Sequence, residues 1–172
     1  MECKVLYSAG EIQEKIQKLA LQLTEFYTGK SVVGVCVLKG AFVFFSDLVR
    51  QMSELDLELD FVRLSSYQDA TESSGKVVFS KDIEIDIEGK HVLIIEDIVD
   101  SGRTMMFLAE VFKARKPASV RICSLIDKTE RRAKELTVDF SCFSLQEGFV
   151  VGYGLDYAEK YRHLPDLCVL TF

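Results

Sequence analysis

The sequence predicts an α/β fold, a mostly parallel, twisted sheet flanked by helices. Two short, nearly continuous apolar runs, SVVGVCVL (31–38) and KHVLIIE (90–96), have the length and composition of strands buried on both faces. Each runs into a segment of helical pattern, and each such segment leads to a further strand candidate. That repeated order of strand, helix, strand argues parallel strands joined by helical crossovers.

The elements follow in order. Ser8 and Glu11 form the S-x-x-E capping box of a helix. Ile12, Ile16, Leu19, Leu23 and Phe26 give that helix one apolar face, and Gly29 is placed to stop it. After the 31–38 strand, AFVFFSDLVRQM (41–52) reads as a helix, which would be either an interface or core. LELDFVRL (57–64) alternates as a strand does. SSYQDATESSGK (65–76) is polar, small and rich in turn formers, so it reads as a loop. VVF (77–79) is a short strand candidate. Gly89 precedes the strongest strand, 90–96. Thr104 to Lys116 is helical and ends at Pro117. ASVRICSLI (118–126) is a strand, 127–136 is a polar, basic segment, and DFSCF, FVVGY and LCVLTF are late strands. No internal repeat or domain boundary interrupts residues 1–172, which predicts one domain.

Composition narrows the class. With 48% hydrophobic and 28% charged residues, 172 residues suit one soluble domain with its own core. Two prolines and no low-complexity tract argue against disorder. The apolar runs are too short to span a bilayer and the N-terminus has no signal-peptide run, so no membrane partner is expected and a cytoplasmic location is. Five cysteines without CxxC spacing read as reduced thiols. His91 and His163 lack partners at metal-binding spacing, which excludes a His-rich metal centre. A net charge of -6 argues against a nucleic-acid partner while leaving small anions open as ligands.

The chemistry concentrates in VLIIEDIVDSGRT (92–104). Ligands of open parallel sheets bind beyond the carboxyl ends of the strands. Here the strand runs into Glu96, Asp97, Asp100, a glycine and two hydroxyls before the next helix. The backbone N–H groups of 101–104, the hydroxyls of Ser101 and Thr104 and the close approach allowed by Gly102 make an anion cradle. It is not a Walker A loop, because Asp97 stands where the first glycine belongs. It is not a dinucleotide fingerprint either: the only GxG, Gly152–Gly154, has Tyr157 in the third glycine's place. Carboxylates beside an anion cradle make sense for a ligand with hydroxyls as well as a phosphate, or one arriving with Mg²⁺. A sugar phosphate meets that description. Asp100 would serve equally as a helix N-cap.

IIEDIVDSGRT resembles the phosphoribosyl pyrophosphate (PRPP) motif of type I phosphoribosyltransferases. Leu38–Lys39–Gly40, Ser65–Ser66–Tyr67, Asp127–Lys128–Thr129 and FVVGYGLDYAEKYRHLP (149–165) resemble the hypoxanthine-guanine branch of that family in its short bacterial form. The likeness runs in order over nearly the whole chain. It implies the type I fold with a small hood region. It also implies transfer of the phosphoribosyl group from PRPP to N9 of a 6-oxopurine through an oxocarbenium-like transition state, with Mg²⁺.

The resemblance assigns roles residue by residue. Asp100 is the catalytic carboxylate near purine N7. Glu96 and Asp97 face the ribose hydroxyls, and Ser101, Gly102, Arg103 and Thr104 take the 5′-phosphate. Leu38, Lys39 and Gly40, whose Leu–Lys peptide can be cis in the family, take pyrophosphate with Arg162. Ser66 and Tyr67 belong to a flexible catalytic loop, 65–76, that excludes water. Lys128 donates to the purine 6-oxo group, Phe149 stacks on the base and Val150 offers backbone contacts. Asp156 lies beside them. Glu96, Asp97 and Asp156 are the metal ligands. Without the resemblance, Lys128 would read as a surface lysine beside Arg131, Arg132 and Lys134, and Phe149 as core. The resemblance further implies a homodimer or homotetramer. A PRPP-sensing regulator would need a DNA-binding domain for which this chain shows no residues. Xanthine or another base remains an alternative substrate.

Overall fold

The computed structural model describes residues 2–69, 72–133 and 135–171, and within 66–69 and 72–76 the backbone alone. The strands are β1 (Glu2–Tyr7), β2 (Ser31–Leu38), β3 (Asp56–Asp69), β4 (Glu72–Lys81), β5 (His91–Val99), β6 (Ser119–Lys128), β7 (Phe140–Leu145), β8 (Val150–Val151) and β9 (Leu167–Thr171). The helices are α1 (Ala9–Tyr27), α2 (Phe42–Val49) and α3 (Arg103–Lys113).

Six strands form one sheet in the order β4-β3-β2-β5-β6-β7, and three form a second in the order β1-β9-β8. β2, β3, β5, β6 and β7 are mutually parallel; only edge strand β4 runs antiparallel. The α/β class and the mostly parallel sheet are as expected. The second, three-stranded sheet is antiparallel throughout.

Side-chain alternation gives the large sheet two apolar faces. On one, Val32, Cys36, Leu93, Ile95 and Cys123 pack with Ile12, Ile16, Phe44 and Leu48 of α1 and α2. On the other, Val33, Val35, Val92 and Ile94 pack with Leu108 and Phe112 of α3. Burying a strand on both faces leaves no polar stripe, which explains the continuous apolar runs. α1 begins at the expected capping box, with Ser8 Oγ accepting from the Glu11 N–H and Glu11 from the Ser8 N–H. α2 is core on one side, through Phe44, Phe45 and Leu48, and leaves Phe42 exposed. Among the described residues no helix is long and apolar enough to cross a membrane.

Four expectations need correction. β1 was not expected; it pairs antiparallel with β9, at the far end of the chain. Residues 65–76 are not a loop throughout: outside 70–71 their backbone forms the arms of a hairpin, with Ser66 opposite Val77 and Tyr67 opposite Lys76. β5 and β6 run three and two residues further than read, to Val99 and Lys128, so Glu96 and Asp97 lie on the strand itself. Phe26 is 37% exposed, and Tyr27 takes the buried position instead.

Candidate active site

The carboxyl end of β5 organises the site. Val92 and Ile94 face α3 while Leu93 and Ile95 face α1 and α2, so the next two residues diverge. Glu96 continues toward α3, where it lines a small cavity of about 190 Å³ with Asp100, Ser101, Gly102, Thr104 and Met105. Asp97 continues toward the other side and lines a larger cleft. Glu96 is buried, and burial together with the neighbouring Asp97 carboxylate pushes its pKa well above the usual carboxylate value. Its Oε1 accepts from the Asp97 N–H at 2.9 Å, and Asp97 Oδ1 accepts from the Ile98 N–H at 2.7 Å.

The turn from β5 into α3 is shaped by one glycine. Gly102 has φ +80°, and a Cβ there would meet Leu136 Cδ2 at 2.2 Å. Gly102, not Asp100, takes the N-cap position of α3. The Asp100 carboxylate is therefore not consumed as a cap. The Arg103 N–H lies 3.4 Å from Ser101 Oγ, and Arg103 and Thr104 are exposed.

The larger cleft measures about 610 Å³ and is lined by Asp97, Asp100, Lys128, Phe149, Val150 and Asp156, among others. Asp100 lines both cavities, so it stands at their junction. Lys128 ends β6, half-buried, and its Nζ donates to the Gly148 carbonyl at 2.6 Å. Phe149 is 43% exposed although it adjoins a buried strand, so it is not core; its ring meets Tyr157 edge-on with centroids 5.6 Å apart. Val150 and Leu155, which line the same cleft, are buried.

A third wall comes from residues 38–40 and the turn after β8. The Leu38–Lys39 peptide is cis, as the resemblance implied. Gly40 has no room for a side chain, because a Cβ would lie 1.8 Å from Asp97 Oδ2. At Gly154 a Cβ would lie 2.3 Å from the Gly40 carbonyl oxygen. These two close approaches bring the 38–40 loop, β5 and the late turn into one site. Lys39 Nζ pairs with Glu159 Oε2 at 2.9 Å. Arg162 donates to the Gly154 carbonyl at 2.9 Å and pairs with Asp156 Oδ1 at 2.9 Å.

Most of the expected residues therefore converge. The expected metal trio does not: Asp97 and Asp156 share the large cleft, whereas Glu96 faces the small one. Among the described residues no group of three or more His, Cys, Asp or Glu is arranged to hold a metal ion. Ser66 and Tyr67 lie in the stretch where only backbone is described.

Sequence reasoning passed over Arg132 as one more basic residue. Its Nε donates to the Asp100 carbonyl at 3.1 Å, and its Nη2 donates to the carbonyls of Val99 at 3.1 Å and Lys128 at 2.9 Å. The same Nη2 pairs with the Asp127 carboxylate. One guanidinium thus ties the ends of β5 and β6 together, directly behind Asp100 and Lys128. An arginine four residues after Lys128 in a polar segment was the only available signal.

The family model described as the phosphoribosyl transferase domain matches residues 4–158. Hypoxanthine-guanine phosphoribosyltransferases of Streptococcus thermophilus and Bacillus subtilis are each 46% identical over 167 residues, covering 97% of this chain and 92% of theirs. A crystal structure of a hypoxanthine-guanine phosphoribosyltransferase from Bacillus anthracis superposes with a TM-score of 0.91 at 43% identity, covering 99% of this chain and 100% of that one. The Trypanosoma cruzi hypoxanthine phosphoribosyltransferase superposes with a TM-score of 0.91 at 36% identity, over 98% of this chain and 95% of its own. With its motifs gathered around one cleft, the chain belongs to the phosphoribosyltransferase family, in its hypoxanthine-guanine branch.

Proposed function

We propose that this single-domain protein is a purine-salvage enzyme that transfers the phosphoribosyl group of PRPP to N9 of hypoxanthine or guanine, giving IMP or GMP and pyrophosphate. The observation that carries this reading is the position of Asp100. It stands between a small cavity at the start of α3 and a large cleft lined by Lys128 and Phe149.

The base lies in the large cleft, against the exposed Phe149 ring. The Lys128 ammonium has three donors, and Gly148 takes one, leaving two for a 6-oxo group. Adenine presents a 6-amino donor there and is disfavoured. Asp100 faces the imidazole edge of the purine and moves the N7 proton as general base or acid. The 5′-phosphate sits on the N–H groups of 101–104 and the hydroxyls of Ser101 and Thr104, and the α3 dipole favours it. Asp97 accepts from the ribose hydroxyls. Leu38, Lys39, Gly40 and Arg162 receive pyrophosphate.

Asp97 and Asp156 offer hard oxygen donors on one cleft, which suits Mg²⁺ held by one or two carboxylates together with substrate phosphates. The bound ion would neutralise charge on the leaving pyrophosphate. The β3–β4 hairpin carries Ser66 and Tyr67 just beyond Arg63, which pairs with Leu38, so it rises beside the pyrophosphate loop. There it closes over the reacting centre and keeps water from an oxocarbenium-like carbon. The test is nucleotide formation from PRPP and hypoxanthine or guanine, with and without Mg²⁺. Mg²⁺-dependent IMP and GMP are expected, and no turnover with any purine base would refute the assignment.

A further inference from the structure

We propose that Glu159 is a built-in counter-anion of the pyrophosphate pocket, which pyrophosphate must displace to bind and which returns to help it leave. The proposal rests on the assignment of Lys39 and Arg162 to that pocket. Two cations converge on the one Glu159 carboxylate, each through a different oxygen. Lys39 Nζ is 2.9 Å from Oε2, and Arg162 Nη2 is 3.3 Å from Oε1. A carboxylate that bridges an ammonium and a guanidinium makes the contacts that two phosphate oxygens would make.

The turn is built to present it. Ala158, Glu159 and Tyr161 have φ of +50°, +63° and +78°, a region that residues other than glycine seldom adopt. The Glu159 N–H is held by Asp156 Oδ2 at 2.9 Å, which fixes the backbone from which the side chain meets Lys39. Asp156, which lies on the large cleft, also pairs with Arg162 Nη2 at 2.9 Å and so joins the bridge to that cleft.

The Glu159 side chain is 65% exposed, and exposed ion pairs are weak and easily exchanged. It can therefore yield to a multivalent anion without locking the pocket. While it stays nearby it repels that anion, which limits affinity and favours release.

The sign of the effect separates this role from simple positioning. In Mg²⁺ buffer, calorimetric titration of E159Q with inorganic pyrophosphate should give a Kd about two- to tenfold lower than the wild-type value, the size expected for removing weak exposed pairs. The KM for PRPP should fall in parallel. An unchanged or higher Kd in E159Q would overturn the proposal while leaving the pocket assignment standing. Failure of both proteins to bind pyrophosphate would remove the pocket assignment and the proposal with it.

Discussion

At the residue scale, three carboxylates within five residues acquire different environments through strand alternation and one glycine. Asp100 is free of capping duty because Gly102 takes the N-cap with φ +80°. Asp100→Asn keeps the shape but cannot accept a proton, so kcat for IMP formation should fall on the order of 10²-fold or more, with little change in thermal stability. A near-normal kcat would remove Asp100 from the chemistry. Glu96 behaves differently. Its burial beside Asp97 raises its folded pKa above the ordinary value of 4.5. A raised folded pKa contributes stability below the unfolded value, and that contribution is lost as pH rises through the folded one. E96Q removes the titration, so its melting temperature should exceed wild type at neutral pH, with the gain vanishing below the unfolded carboxylate pKa. A pH series of melting curves checks this. The sequence placed Glu96 and Asp97 at the site together. It did not separate these two, because their divergence depends on β5 remaining a strand to Val99.

At the element scale, the ends of β5 and β6 are the working parts, and Arg132 joins them through carbonyls of Val99, Asp100 and Lys128. Removing the guanidinium leaves the half-buried Asp127 carboxylate and these carbonyls short of donors. R132Q should therefore cost about 3 kcal/mol in denaturant unfolding. It should also raise the KM for hypoxanthine more than the KM for PRPP, with partial recovery in R132K. Equal effects on both substrates would reduce Arg132 to a purely structural tie. Strands with continuous apolar runs were legible because both faces are buried. The distal arms of the β3–β4 hairpin, 65–69 and 72–76, were not, because they are held by backbone hydrogen bonds and need no apolar periodicity. β1 was missed because its partner β9 lies at the other end of the chain.

At the scale of the whole molecule, the parallel sheet delivers the site by topology. Strand order places the ends of β3, β2, β5 and β6 side by side, so the hairpin, the 38–40 loop, the carboxylates and Lys128 meet along one edge. The anion cradle and a sugar-phosphate ligand follow from residue chemistry alone. The identity of the base does not, because Lys128 and Phe149 acquire meaning only when β6 and β8 set them on the same cleft. That meeting is the central claim, and discrimination between purines tests it most directly. The measurement is kcat/KM with PRPP and Mg²⁺ for hypoxanthine, guanine and adenine. The 6-oxopurines should exceed adenine by at least about 10²-fold, since one buried donor–acceptor mismatch costs roughly that much. Comparable rates with adenine would contradict the account.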